Sequence, residues 1–569
     1  MTGRAAALNR VEFLAYRDAR PGENLLLYSP PDMLTARRGR LAYLILVPLF
    51  LLALRPISDM DFWWHLAAGR WIAENGSVPH VDPFTNTAGG QPWVAHEWLS
   101  ELVFWWVHQA AGLRGVQILV ALAVAGGLAV HLWTLRRTGV RGIVPGIAYM
   151  LLLYFLFSPR IQTRPHVFGD FLFPAILYAL LITCDWRPGG RRIAVIGALT
   201  ALWANLHGGA TLASIVLGTA AAAEIARVVW ARRRPAASAD ASVDADRARR
   251  LGVATIVAFL ALIATPSHVE RLLFPLQVFH ATTESITVGE WRPLFLVAEP
   301  GFAPIQWIVP AIIQSFLIVV LLRLRPAPWA ETSVAAVLGA MAVAASRFAV
   351  FFFAQAHAAL RAVAGDATSG GWVASTARAS LAIRMLLGAW CIALAALIWN
   401  HDVGLWEPGI LQQMQSAGVG AFAPVFEPNF PASTVRFLDE AHLDGRMFNI
   451  PRWGGYLTYH LYPEYKTSYD GRIDLFTPKV SRDMMDVMEN RRREEILAEY
   501  GFDFLVVDSR FFAPARPAAE HWKLVFSDGS ARVFLRDSAR NAANFERCRA
   551  YYAAHGGAPA AGEGAGGVR

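Results

Sequence analysis

The stretch Asp59-Met60-Asp61-Phe62-Trp63-Trp64-His65 decides how the whole chain is read. It follows the first apolar run, 41–54, almost directly. It leads through a helix-like segment to Gly76 and on to His96-Glu97-Trp98-Leu99. Two carboxylates, a histidine and several tryptophans thus stand where a membrane-crossing segment ends. Carboxylates that close to a bilayer are costly unless water, a cation or a bound molecule meets them. The remaining residues are expected to form a frame around this stretch at a membrane face.

Composition agrees. Of 569 residues, 55% are hydrophobic and only 17% charged, against about a quarter charged in soluble domains. Many apolar runs approach the length that spans a bilayer. The formal charge of +8 does not signal nucleic-acid binding. The arginines sit in short loops between apolar runs, where they set topology. The three cysteines, Cys184, Cys391 and Cys548, fall on separate parts of the expected topology, so neither a disulfide nor a cysteine metal site is expected. The polar start and the depth of the first apolar run argue against a cleavable signal peptide.

Taken in order, residues 1–40 form a cytoplasmic N-terminal arm, with Arg37, Arg38 and Arg40 before the first span. A membrane domain occupies 41–400, with a large first outer loop at 58–113. Within that loop a helix over 61–75 ends at Gly76 and places Asp61 and His65 on one face. A second amphipathic helix runs over 97–108. Together they are expected to make a shelf on the membrane, with Trp64 and Trp71 toward lipid headgroups. Ten further spans follow, at 114–134, 143–158, 167–183, 193–206, 210–229, 251–265, 303–322, 332–346, 348–363 and 381–399. Span five, 193–206, breaks at Asn205-Leu206-His207-Gly208-Gly209. An odd count of eleven leaves the C-terminus outside.

Beyond a linker at 401–430 the composition becomes that of a soluble domain, 431–540. A helix is expected over 433–442, strands over 447–450 and 465–469, a helix from Thr477-Pro478 to about 500, and a strand over 504–507. Asp528-Gly529 signals a hairpin between 522–526 and 532–535. An Ala/Gly-rich disordered tail, 541–569, closes the chain. The fold class is a mostly α polytopic membrane protein of about eleven transmembrane helices plus a small C-terminal α/β periplasmic domain.

The motifs Asp59-Met-Asp-Phe-Trp-Trp-His-Leu, Asp82-Pro-Phe, His96-Glu-Trp-Leu, Arg164-Pro-His, Trp453-Gly-Gly-Tyr-Leu and Asp470-Gly-Arg resemble a bacterial branch of the GT-C membrane glycosyltransferases. That superfamily includes protein O-mannosyltransferases, aminoarabinose transferases and oligosaccharyltransferase catalytic subunits. The resemblance covers nearly the whole chain. It implies an enzyme that takes a sugar from a polyprenyl-phosphate carrier at the outer face of a bacterial inner membrane. It also implies an essential Asp or Glu early in the first outer loop, where Asp59 and Asp61 match. The oligosaccharyltransferase pattern adds an acidic pair in the second outer loop. Here that loop, 158–166, carries no acid.

The residues suit such chemistry. Transfer from a phosphate-linked sugar needs a base for the acceptor's proton and positive charge for the departing phosphate. Asp61 is the candidate base, with Asp59 second. Arg160 and Arg164 are the candidates for the phosphate, since guanidinium forks match its oxygens. His166, His207, Glu290 and Arg347 fall at the same outer level as substrate-binding candidates. Asp59, His65, His96 and Glu97 could hold a divalent cation such as Mg²⁺ or Mn²⁺.

Each position also has a plainer role: Asp59 as a helix cap, Arg160 and Arg164 as headgroup anchors, His207 as a partner for the backbone of a helix break. The tryptophan cluster reads as a membrane belt, Trp453-Gly454-Gly455-Tyr456 as a tight turn, and Asp470-Gly471-Arg472 as a turn with an internal ion pair. Two further functions compete with transfer from a lipid-linked sugar. One is a surface-polysaccharide polymerase or ligase working through histidine or arginine. The other is a transporter or non-catalytic membrane binding protein, which should carry paired polar residues mid-span.

Overall fold

The computed structural model describes residues 41–140, 142–233, 241–274, 329–344, 424–425, 430–508, 521–528 and 530–556, with a few positions between 348 and 357. The N-terminal arm, spans eight and eleven, most of span ten, and the candidates Glu290 and Arg347 lie outside these residues.

The first apolar run becomes a 3-10 turn, Leu41–Ile45, and helix α1, Leu46–Ala53. Helix α2, Phe62–Asn75, ends as its sequence signals: Gly76 takes φ 64° and its N–H donates to the Ile72 carbonyl. That left-handed turn favours glycine. Helix α3, Trp98–Arg137, is broken by Gly112 at φ 63°, ψ −166°. The break divides a segment packed on α2 from a long apolar helix, in the place the sequence predicts between shelf and second span.

The bundle continues with α4, Ile143–Phe157, α5, Phe173–Ile182, α6, Gly190–Leu206, α7, Thr211–Arg232, α8, Ala241–Ala261, and α9, Trp329–Ala344. The expected interruption after 206 is present. His207 is extended at φ −160° and a short 3-10 turn, Gly208–Ala210, precedes α7. The expected continuous span over 167–183 instead opens with a π-turn, Phe168–Leu172. Among the described residues two helical stretches, Trp98–Arg137 and Gly208–Arg232, are long and apolar enough to cross a bilayer, and several shorter apolar helices accompany them. The count of eleven spans remains an expectation.

The C-terminal domain is a small mixed sheet wrapped by helices. Strands β1, Met447–Asn449, β2, Phe504–Asp508, β3, Trp522–Ser527, and β4, Ala531–Arg536, lie in the order β1-β2-β4-β3. β1 and β2 are parallel, with Met447 opposite Phe504. The other pairs are antiparallel, and the predicted hairpin joins β3 to β4. Flanking helices are α10, Ala432–Ala441, α11, Gly454–Leu461, α12, Pro478–Met488, and α13, Arg493–Glu499.

Four expectations are corrected. Residues 465–469 form no strand. Thr467 instead makes an isolated bridge to Thr85 of the first outer loop. The single helix expected from 477 to 500 is two, because Asn490 and Arg492 take φ 61° and 48°. The tail assigned as disordered contains helix α14, Ala542–His555, whose Phe545 and Tyr551 pack on the domain core. The tryptophans of α2 do not form a membrane belt. Trp63 is buried against Phe430, Tyr456 and Tyr459, and Trp64 is buried in the C-terminal domain's core. The helical period identifies an apolar face, and here α11 covers it in place of lipid.

Candidate active site

The segment 59–65 lies where the helical bundle meets the small domain. Asp59 is buried, and its Oδ1 accepts the Asp61 N–H at 2.8 Å. Its Oδ2 is ion-paired with Arg164 Nε, and the same guanidinium reaches Asp61 Oδ2 through Nη1 at 3.0 Å. One arginine from the second outer loop thus bridges both acids of the first. The two carboxylates differ in access: the Asp59 side chain is 4% exposed and the Asp61 side chain 23%. Asp59 is thus the buried member of the pair and Asp61 the more accessible one.

The small domain supplies the other wall. Gly471 lies against the Asp61 carboxylate so closely that a β-carbon there would overlap Oδ1. Gly455 sits on the backbone of Met60 and Trp64, and Gly454 on that of Tyr469 and Asp470. The motifs Trp453-Gly-Gly-Tyr and Asp470-Gly-Arg are therefore close-packing devices that seat the domain on the acidic segment. Arg472 is fully buried between Asp470 Oδ2, 2.7 Å, and Asp82 Oδ1, 2.9 Å, with its guanidinium over the Trp93 ring at 4.6 Å. Asp82 in turn accepts the N–H groups of Phe84 and Thr85. The Asp82-Pro83-Phe84 motif and the internal ion pair are accounted for by this joint.

Arg160 lies deeper than Arg164. Both its Nε and Nη2 reach Asp170 Oδ2 at 3.1 Å. Asp170 belongs to the π-turn, so an acid does stand beside the second outer loop, four residues past the segment read as acid-free. Its position inside an apolar run concealed it. His166 is buried and donates through Nε2 to the Arg160 carbonyl at 2.9 Å. Burial, then the positive charges of Arg160 and Arg164, hold its pKa well below the ordinary histidine value.

The set expected to bind a cation divides. Asp59 faces Arg164, while His65 faces two glutamates: Nδ1 lies 3.1 Å from Glu101 Oε1 and Nε2 lies 3.7 Å from Glu97 Oε2. Ligating atoms of His65, Glu97 and Glu101 all fall within 4.8 Å of one another. Burial and the Arg164 charge keep His65 well below the usual histidine range. His96 and His207 approach Glu97 Oε1 with their Nε2 atoms at 3.8 and 3.4 Å.

Glu101 was not among the residues singled out from sequence. Its four-residue spacing from Glu97 on a helix was the available signal. Arg271, also missed, donates to the carbonyls of His207 and Gly208 at 3.3 and 2.7 Å, satisfying the broken helix end. Burial lowers its pKa to about 10. Nothing in its sequence neighbourhood marks it.

No family model matches the sequence, and no curated protein matches it significantly. Solved structures do share its architecture. The archaeal oligosaccharyltransferase AglB from Archaeoglobus fulgidus, in complex with an inhibitory peptide and a dolichol-phosphate, superposes with a TM-score of 0.50 at 12% identity over 88% of this chain and 74% of that one. Its apo form gives 0.50 at 13% identity over 90% and 75%. ArnT from Cupriavidus metallidurans bound to undecaprenyl phosphate gives 0.46 at 13% identity over 89% and 98%. A helical bundle with its acidic first loop seated under a C-terminal domain is thus a fold this chain shares with the archaeal oligosaccharyltransferase.

Proposed function

We propose that the chain is an integral membrane glycosyltransferase that moves a sugar from a polyprenyl-phosphate donor to a lipid, glycan or protein acceptor. The observation that carries this reading is the bridge from Arg164 to Asp59 and Asp61. Attack on a phosphate-linked sugar requires a base on the acceptor side and a cation on the phosphate side, and this cluster offers both within one contact. Asp61, the more accessible acid, takes the acceptor's proton. Asp59 fixes the Asp61 backbone and the arginine. Arg164, 28% exposed, presents guanidinium N–H groups toward phosphate oxygens. Arg160, engaged with Asp170, orients the loop from behind.

The dolichol-phosphate bound to the archaeal relative supports a polyprenyl-phosphate as the donor's carrier. The reaction is proposed for the periplasmic side of the bacterial inner membrane, with the N-terminus cytoplasmic, because every loop expected at the cytoplasmic face carries two or more arginines. Mg²⁺ or Mn²⁺ would add positive charge for the departing phosphate. Among the described residues the ligand set that fits is His65, Glu97 and Glu101, and no step depends on it.

The test is Asp61→Asn in the full chain, reconstituted with a radiolabelled lipid-linked sugar and a membrane extract as acceptor. Transfer should fall by about 10²- to 10⁴-fold with insertion and melting temperature unchanged. Undiminished transfer by this variant would remove Asp61 as the base. Loss on changing Arg160 or His207 alone, with Asp61→Asn active, would favour the polymerase or ligase reading instead.

A further inference from the structure

We infer that the end of the bundle opposite the acidic segment binds an anionic phospholipid, held by Arg187, Arg249 and Arg250 around Asp246. The inference concerns a surface remote from Asp59 and Asp61, and it holds whether or not the chain transfers sugar. Helix α6 ends at His207, beside Glu97. Its start, next to Arg187, lies 17 residues away, about 25 Å along the helix.

Three observations carry it. The first is a charge imbalance. Arg187 Nε reaches Asp246 Oδ2 at 2.6 Å, Arg250 Nε reaches the same oxygen at 2.7 Å, and Arg249 Nη2 reaches Oδ1 at 3.0 Å. Three cations thus share one anion, and among the described residues none of the three pairs with a second acid. The neighbouring knot shows the contrast. There Arg227 and Arg247 face two acids, Glu224 and Asp185. Guanidiniums gathered at one carboxylate repel one another unless a further anion joins them. The arginine bias that sets topology asks only for positive charge in a loop, not for its convergence on one point.

The second is access. The side chains of Arg187, Arg249 and Arg250 are 45%, 69% and 32% exposed. Asp246 engages only part of each guanidinium. The remaining N–H groups can make the two-pronged contacts that match phosphate oxygens.

The third is depth. Arg250 directly precedes Leu251, and α8 then presents the exposed apolar side chains Val253, Ile256 and Phe259. In α6, Arg192 is likewise followed by Ile193 and an exposed Val195. Trp230 at the end of α7 and Trp329 at the start of α9 hold partly exposed rings 6.0 Å apart, and tryptophan favours the headgroup level. The three arginines therefore stand where headgroup phosphates lie, with exposed apolar helix surface beside them for acyl chains. That placement favours a lipid over a soluble anion. The surplus positive charge suits a headgroup with two phosphates, such as that of cardiolipin.

The experiment reconstitutes the full-length protein in nanodiscs of phosphatidylcholine alone, with phosphatidylglycerol, or with cardiolipin. It reads lipid retention by native mass spectrometry, and the melting temperature. About one cardiolipin per chain should be retained, and cardiolipin should raise the melting temperature more than phosphatidylglycerol does. Arg187→Gln and Arg249→Gln should each weaken cardiolipin retention about fivefold. Arg491→Gln, at an exposed pair in the C-terminal domain, should not. Asp246→Asn separates binding from a purely structural knot. It removes the competing carboxylate, so cardiolipin should stabilise this variant more than the parent, although its melting temperature in phosphatidylcholine falls. The exposed Arg249→Gln keeps the test decisive should Asp246→Asn misfold. Equal retention of the three lipids, or cardiolipin retention unchanged in both arginine variants, would overturn the assignment. So would equal stabilisation by inorganic phosphate in phosphatidylcholine, which would make the ligand a free anion. Cardiolipin binding without sugar transfer would sink the proposed function and leave the lipid site standing.

Discussion

Gly471 of the C-terminal domain packs directly on the carboxylate of Asp61 from the first outer loop. Two segments 410 positions apart in the chain thereby share one surface. Asp61 is held from below by Arg164 and from above by a residue without a side chain. Any side chain at 471 must push the carboxylate away from the arginine.

Gly471→Ala should therefore act on Asp61 and not on the fold. A misplacement near 1 Å costs about a hundredfold in a positioned reaction. The expected outcome is a loss of transfer of that order, with membrane insertion and melting temperature close to the parent protein. Gly454 offers the contrast. A β-carbon there meets the backbone carbonyl of Tyr469, which cannot swing aside. Gly454→Ala should lower the melting temperature as well as activity.

Arg164 touches both acids, so its removal and that of Asp59 should not add. The pair is suited to a double-mutant cycle with Arg164→Gln and Asp59→Asn, read by thermal stability. Contacting charged residues couple by about 0.5–3 kcal/mol, and the lower exposure of Asp59 favours the upper part of that range. A coupling indistinguishable from zero would mean that the two side chains do not meet in the membrane. Arg164→Lys should restore the charge but not the two-pronged bridge, leaving transfer impaired.

Much of this frame was legible in the residues. Gly76 as a helix stop, the break at Asn205-Leu206-His207-Gly208-Gly209, and the Asp528-Gly529 hairpin are local signals, and local chemistry fixed them. The convergence of Asp59, Asp61 and Arg164 followed from counting apolar runs, which puts both loops at one end of the bundle. What was not legible depended on who covers whom. The period of α2 shows an apolar face, but lipid and the α11 face that carries Tyr456 and Tyr459 are equally apolar partners for Trp63. Asp170 looked like part of a span because its neighbours are apolar. Its burial is permitted by Arg160, ten residues earlier and displaced from any helical spacing. Residues 465–469 have the alternation of a strand, yet the first outer loop occupies that edge, so Thr467 meets Thr85 there.

Asp474 should make the C-terminal domain sensitive to pH. Burial raises its carboxyl to about 6, with Asp470 adding to the effect and Arg472 opposing it. The folded state thus binds this proton more tightly than the unfolded chain, whose value is 3.8. The associated stability is fully present below the unfolded value and is lost as pH rises through about 6. Asp474→Asn should raise the melting temperature at pH 8, by an amount equivalent to at most about 3 kcal/mol. The gain should shrink as pH approaches the unfolded value. A gain that is equal at pH 5 and pH 8 would show that ionisation at this position is not the cause.

Arg472 offers the most direct test of the joint between the bundle and the domain. Its guanidinium is buried against Asp470 and Asp82 and flanked by the rings of Trp64, Phe84 and Trp93. Burial alone would lower its pKa, but the two carboxylates outweigh that and raise it further, so the charge persists at every accessible pH. Arg472→Met keeps most of the apolar stem but strands two buried carboxylates, which typically costs about 3–5 kcal/mol. The melting temperature of the full chain should fall markedly, and proteolysis should open first in 79–92, the loop that Asp82 anchors. Arg492→Ala breaks an exposed pair with Glu495 and should change little. The triple variant Arg472→Met, Asp470→Asn, Asp82→Asn removes the stranded charges together and should recover part of the loss. Failure to recover any of it would mean that the guanidinium's stacking on the three rings, and not the ion pairs, holds the joint.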